Sequence, residues 1–167
     1  MLSIVQAEAE QDSAIVRELF WEYLEWANGM VHREFGVTFD IEAMLAGDMA
    51  DLNKFLPPSG RLLLARDNGQ LAGIACLRRL RDDLGEVKRM YVRPAFRRQA
   101  IGRALLQRLL DEAHYIGYTR MRLDSARFMT AAHALYRSVG FQEIEAYPES
   151  EIPASFQSNW IFMERSL

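Results

Sequence analysis

The order of elements predicts a mixed α/β fold, a central sheet with helices on both faces. Three observations carry it. Two β-compatible runs flank Asp67-Asn68-Gly69-Gln70, a hairpin signature. A strand–helix–strand unit spans 86–125 and predicts two neighbouring parallel strands joined by a right-handed crossover. Apolar residues recur at helical spacing on either side of these strands, over 14–27 and 101–114.

In chain order, residues 2–7 (LSIVQA) read as an opening strand. Asp12 or Ser13 caps a helix over 14–27, striped by Ile15, Val16, Leu19, Phe20, Tyr23 and Leu24. Residues 28–39 (NGMVHREFGVTF) read as a connection, and a second helix over 40–55 starts at Asp40 and is closed by Pro57-Pro58. The hairpin follows, with Gly73 marking a bulge or a close approach of backbones. A turn (RDDLG) leads to the strand EVKRMYV, which ends at Val92 or Arg93 because Pro94 cannot hold a central ladder position. Ile101, Leu105, Leu106, Leu109, Leu110 and Ala113 make the widest apolar stripe in the chain, and Gly117 suits the end of that helix. RMRLDS is a strand, 129–138 a helix ending at Gly140, FQEIEAY a strand, PESEIPASFQS a polar loop and NWIFMERSL the closing strand.

The 167 residues fit one domain, 1–167, with 50% apolar and 26% charged residues, an ordinary ordered composition. A lone cysteine, Cys76, excludes an intrachain disulfide, and three scattered histidines lack ligand spacing, so no metal is expected. No apolar run approaches membrane length and the first residues lack a basic leader, which points to a cytoplasmic protein with no membrane partner. A formal net charge of -3 disfavours wholesale nucleic-acid binding.

Against that acidic background, residues 88–103 hold six cations and no acid: Lys88, Arg89, Arg93, Arg97, Arg98 and Arg103. They surround RRQAIGR, where a turn of small residues enters a helix. A helix N-terminus offers free N–H groups and a positive partial charge, a site for phosphate. Neither the dinucleotide fingerprint nor a Walker lysine motif is present. A solvated arginine-rich turn is the alternative.

The same stretch resembles the GCN5-related N-acetyltransferase (GNAT) family. The family signature (Gln/Arg)-x-x-Gly-x-(Gly/Ala) is similar to Arg97-Arg98-Gln99-Ala100-Ile101-Gly102, and both EVKRMYVRPAFRRQAIGRALL and AHALYRSVGF match family patterns. The resemblance implies a mostly antiparallel, splayed sheet and an acetyl-CoA-dependent N-acetyltransferase acting on a primary amine of a small molecule or amino acid by direct transfer. It also implies that the turn Arg97, Arg98, Gln99, Ala100, Ile101, Gly102 and Arg103 holds the pyrophosphate. The backbone of Met90, Tyr91 and Val92 would pair with the pantetheine arm, and an N–H of Tyr91 or Val92 would bind the oxyanion. Tyr136 matches the tyrosine that protonates the departing thiolate, and Glu86 a carboxylate serving as base. A surface glutamate opening a strand is the other reading of Glu86.

Two departures stand out. Ala100 occupies a position usually held by Gly; its methyl crowds the pyrophosphate or restricts φ, and a turn with negative φ tolerates it. Met129 replaces a common Asn, leaving Ser125 or Thr130 to serve the cofactor arm. A non-catalytic acyl-CoA-binding sensor or interaction module is the second functional reading, and a homodimer is compatible with either. Cys76 reads as a buried inert thiol. For the acceptor, Trp21, Glu22, Glu25, Trp26, His32, Tyr147, Glu149, Glu151 and Phe156 would suit a cationic amine, whereas Arg78, Arg79 and Arg81 would suit one carrying a carboxylate. Asp124 and Ser125, closing a strand, are placed to touch acceptor or cofactor, and capping of the following turn explains them equally well.

Overall fold

The computed structural model describes all residues from Met1 to Leu167. Seven strands, β1 (Leu2–Gln6), β2 (Arg61–Asp67), β3 (Gln70–Arg81), β4 (Leu84–Val92), β5 (Arg120–Ala126), β6 (Gln142–Ile144) and β7 (Trp160–Ser166), form one sheet in the order β1-β2-β3-β4-β5-β7-β6. Every pairing is antiparallel except β4 with β5. Helices α1 (Ser13–Phe35) and α2 (Ile41–Ala50) cover one face, and α3 (Ile101–Ile116) and α4 (Thr130–Ser138) the other.

Strand alternation explains how both faces become core. Leu62 and Leu64 point into the cluster under α1 and α2, with Phe20, Phe55 and Cys76, while Leu63 and Ala65 point under α3. The stripe of α3 (Ile101, Leu105, Leu106, Leu109, Leu110, Ala113) is buried in full against that second face. Burying one such leucine stabilises the fold by about 1.5–3 kcal/mol, so this helix anchors the edge of the site described below.

The hairpin forms as its sequence requires, with Asn68 (φ 49) and Gly69 (φ 81) both left-handed. Gly73 is a close approach: a Cβ there would lie 2.6 Å from the Tyr91 carbonyl oxygen. Beside it the β3–β4 register shifts between Ile74 and Cys76, and Arg89 takes φ 50. Strand β4 ends at Val92, before Pro94, as expected.

Several boundaries differ from the sequence reading. Helix α1 runs through the expected connection to Phe35 and stops at Gly36 (φ 70), because Val31 is buried and tertiary packing offsets the cost of Gly29. The second helix ends at Ala50; a short 3₁₀ turn, Leu52–Phe55, follows. The Asp40 side chain accepts from the Ala43 N–H, the cap its position predicts. Strand β6 covers only 142–144, since Tyr147 turns inward to a buried carboxylate. A 3₁₀ helix, Ala154–Asn159, occupies the end of the polar loop. No helix is long and apolar enough to cross a membrane.

Candidate active site

Strands β4 and β5 pair only at Leu84–Arg120, Gly85–Met121 and Glu86–Arg122. Beyond Glu86 they diverge, while β5 stays paired with β7 along its length. The divergence leaves a wedge beside the second half of β4, and a cavity of about 540 Å³ opens there. Its walls come from α1, α2, β4, β5, α4 and the loop before β7. Tyr23, Trp26, Phe39 and Trp160 supply flat apolar surface, and Lys88, Arg89, Asp124, Tyr136 and Glu151 most of the polar groups.

The backbone along the wedge follows from the ladder. The Arg93 N–H bonds the Ala72 carbonyl at 2.9 Å, so alternation commits Tyr91 to β3 and turns the N–H and C=O of Val92 toward the wedge. The Val92 carbonyl accepts from Arg97 Nε at 2.9 Å.

At the mouth of the wedge α3 begins. Arg98 (φ 63) and Ala100 (φ 61) are both left-handed, so the turn curls and its N–H groups converge, a nest for an anion in front of the first helical turn. The negative φ that would tolerate a methyl at this position is not what the turn adopts. The signature position is the left-handed N-cap of α3, where glycine is favoured because it carries no Cβ; alanine there costs about 1 kcal/mol. Gly102 leaves room in the first turn, with no atom within 3.5 Å of a Cβ built on it. Gln99 Nε2 donates to the Ala95 carbonyl and Ile101 is buried beneath the turn.

The six cations are not one cluster. Lys88 and Arg89 line the cavity and Arg93 pairs with Glu18 and Glu22 of α1. The Arg97 guanidinium lies 5.0 Å from the Trp26 ring and 5.7 Å from that of Tyr91. Arg103 donates to Ser138 Oγ at 2.9 Å, tying α3 to α4. Arg97, Arg98 and Arg103 are all exposed around this turn and none has an ion pair; Arg97 and Arg103 are held by the hydrogen bonds just given, to the Val92 carbonyl and to Ser138.

Glu86 sits behind the cavity wall. It is fully buried, accepts from Arg78 Nε at 2.7 Å and from the Tyr147 hydroxyl at 2.6 Å, and has Lys88 Nζ at 3.9 Å. The surface alternative for this residue is thereby removed, and both of its oxygens are engaged. The carboxylate that reaches the cavity from the sheet is Asp124, at the splayed end of β5. Its Oδ2 accepts from Ser150 Oγ at 3.1 Å and lies 3.9 Å from Lys88 Nζ. Burial raises its pKa above the ordinary value, with Glu86 and Glu151 acting in the same sense and Lys88 against it. Tyr136 lines the cavity from α4; burial first, then the neighbouring Tyr23 and Asp124, push its phenol above the ordinary value. Met90 also lines the cavity.

Ser125 Oγ is occupied by His133 Nε2 at 3.0 Å and Met129 Sδ at 3.7 Å. Burial lowers the His133 pKa, so that ring is neutral in this seam. The Cys76 thiol is buried and its pKa raised by that burial. Of the expected acceptor-side residues, Trp26 and Glu151 reach the cavity. Glu22 is spent on Arg93, Tyr147 on Glu86, and Phe156 packs on Phe39. Arg78 and Arg81 pair with Glu86 and Glu149, and Arg79 lies over Tyr118. The sequence offered no local sign of the pairing among Lys88, Arg89, Glu151 and Asp48, whose members lie far apart in the chain.

A splayed sheet with a helix-capped anion nest at the mouth of the splay is an acyltransferase type of fold. The Acetyltransferase (GNAT) family model matches residues 13–141, and the chain belongs to that family. It is 33% identical to an IAA acetyltransferase of Azospirillum brasilense, over 77% of this chain and 82% of that one. It is 32% identical to an uncharacterized N-acetyltransferase of Schizosaccharomyces pombe, over 91% and 90%. Its fold matches the PaiA N-acetyltransferase of Thermoplasma acidophilum, solved in complex with coenzyme A, with TM-score 0.75, 18% identity, and coverage of 100% and 99%.

Proposed function

We propose that the protein transfers an acetyl group from acetyl-CoA to the primary amine of a small molecule, by direct attack in a ternary complex. The observation that carries this reading is the closeness of the turn at 98–102 to the cavity: a Cβ built on Gly102 lies 3.6 Å from Met90 Cε, and Met90 lines the cavity beside the splay of β4 from β5. A structural neighbour of the same fold was solved with coenzyme A, which supports that donor. The residues fit it: converging N–H groups and Arg98 face a pyrophosphate, and the wedge leaves strand-like backbone beside it for an amide-bearing arm.

Bound acetyl-CoA supplies an activated thioester; the chain supplies the rest. Asp124, kept basic by burial, takes a proton from the acceptor ammonium, whose nitrogen then attacks the thioester carbonyl carbon. The Val92 N–H, left free of β3, stabilises the oxyanion as it forms. Tyr136, kept protonated by burial, gives its proton to the sulfur as the C–S bond breaks; the surplus proton on the attacking nitrogen restores the phenol, and Asp124 returns the first proton to solvent, leaving the amide and the CoA thiol. Glu86 is a positioning residue, fixing Arg78 and Tyr147 behind the wall and adding negative charge near Lys88. The open cavity with a carboxylate and a phenol at its centre favours catalysis over a binding-only module.

The test has two arms. Acetyl-CoA at micromolar concentration raises the melting temperature, and Tyr136→Phe lowers kcat about 10- to 1000-fold with the donor-induced shift retained. No shift with acetyl-CoA, CoA or a longer acyl-CoA refutes the donor; an unchanged rate in Tyr136→Phe refutes the acid.

A further inference from the structure

Two buried cations on the wall of an acceptor cavity would ordinarily mark it for a ligand that carries a carboxylate. Lys88 is 6% exposed and Arg89 5%. Both reach the cavity because the bulge in β4 breaks the alternation that would send neighbours to opposite faces. Their charge, however, is already met from within the chain. Glu151, on the loop between β6 and β7, places Oε1 2.7 Å from Lys88 Nζ and accepts from Arg89 Nη1 at 2.7 Å, and its Oε2 accepts from Arg89 Nη2 at 3.2 Å. Arg89 Nε donates to Asp48 of α2 at 2.7 Å, and Lys88 has Asp124 and Glu86 each at 3.9 Å.

We infer that Glu151 is the specificity residue of the acceptor site. It occupies the place on Lys88 and Arg89 that an acceptor's carboxylate would take, so the enzyme selects primary amines with an apolar or aromatic body and no carboxylate. The inference rests on the acetyl-transfer reading above and narrows it to a substrate class.

The charges around the cavity support this. Glu151 has both oxygens engaged with the two cations, which leaves it no strong position for a ligand amine. Asp124 has one oxygen bonded to Ser150 and its other, Oδ1, makes no hydrogen bond within the protein. A cationic amine therefore has Asp124 to approach beside Tyr136; the remaining lining carboxylate, Asp40, is exposed at the start of α2 and caps that helix through Oδ1. The rest of the surroundings, Tyr23, Trp26, Phe39 and Trp160, suits a flat apolar group and the face of a cation. A carboxylate on the acceptor would have to sit beside Glu151, two like charges sharing one pair of cations, or displace Glu151, itself partly exposed, from two buried cations. Discrimination is thus built by a repulsive group already in place.

Matched acceptors test it on the wild-type protein: phenethylamine, phenylalanine and phenylalaninamide, with acetyl-CoA as donor. The expected result is that phenethylamine exceeds phenylalanine about 100-fold in kcat/KM, as like-charge juxtaposition demands. The amide, of equal bulk but without the negative charge, stays within about 10-fold of the amine. In Glu151→Gln the two cations lose their carboxylate and the amine-to-amino-acid ratio falls below about 10 or inverts. Wild-type preference for phenylalanine, rejection of the amide together with the acid, or an unchanged ratio in a folded Glu151→Gln protein each overturns the inference. If that variant does not fold, the wild-type amide comparison decides alone. Donor binding without turnover of phenethylamine overturns this substrate class and leaves the donor reading standing, whereas absence of donor binding fails the reading beneath it.

Discussion

Replacing Glu86 separates a buried structural ion pair from a catalytic base. The side chain has no exposed surface, and each oxygen holds a short hydrogen bond, 2.7 Å to Arg78 and 2.6 Å to Tyr147. Glu86→Gln keeps the volume but removes the charge, and its amide can accept from only one of Arg78 and Tyr147, at a cost of about 2 kcal/mol. Glu86→Ala removes both bonds and strands the Arg78 guanidinium, which costs about 3–5 kcal/mol. For a chain of this size 1 kcal/mol moves the melting temperature by about 2–4 °C. The expected losses are therefore about 4–8 °C for Glu86→Gln and about 6–20 °C for Glu86→Ala. Thermal denaturation read by circular dichroism measures these shifts, and steady-state kinetics well below the transition give kcat. As a positioning residue, Glu86→Gln retains kcat within about 10-fold, whereas loss of a true base costs about 10²–10⁴. A Glu86→Gln protein with wild-type melting behaviour and kcat lowered a thousandfold would falsify this account and restore Glu86 as the base.

Two further outcomes follow from the same geometry. Ala100→Gly relieves a left-handed alanine worth about 1–2 kcal/mol, offset by about 0.4–1 kcal/mol of extra chain entropy in the unfolded state, so the variant melts at the same temperature or a few degrees higher. A clear loss of stability would mean that the turn is not left-handed there. Asp124 has its folded pKa raised above the ordinary 3.8, chiefly by burial. Its contribution to stability is complete below that unfolded value and is lost as pH rises through the folded one. Asp124→Asn therefore gains stability relative to wild type as pH rises through the folded pKa, and kcat/KM loses the rising limb that Asp124 ionisation produces; a flat stability difference across that range removes the assignment.

The parts of the fold legible in the sequence are those fixed by local physics. The stripe of α3, the Asn68-Gly69 turn and the stop at Pro94 each follow from spacing or from one residue's backbone preference. Helix α1 is longer than its local pattern shows: Gly29 and Val31 are poor helix formers, and the burial of Val31 that offsets them comes from Ala126 of β5 and Trp160 and Phe162 of β7, distant in the chain. The site divides in the same way. The turn at 97–103 lies within a few consecutive residues, so its place before α3 is legible from them, whereas the sign of φ at Ala100 is not. Glu86 was read without its surroundings, because Tyr147 is 61 positions away. Glu151 was named only as one acid among several, since its partners on β4 come from 62 residues earlier.

The cation run divides for a reason that applies to buried charge in general. A guanidinium or ammonium taken out of water must have a partner in the free protein, or the fold bears an uncompensated charge. Lys88 and Arg89 are therefore matched by Glu151 and Asp48 before any ligand arrives, and their net field on a ligand is small. Backbone N–H groups at an exposed helix start carry no such requirement, because water satisfies them until an anion displaces it. The two halves of the cation run thus differ in kind: Lys88 and Arg89 are met by the chain's own carboxylates, while the N–H groups at the start of α3, with Arg98 beside them, are what the proposed donor site uses.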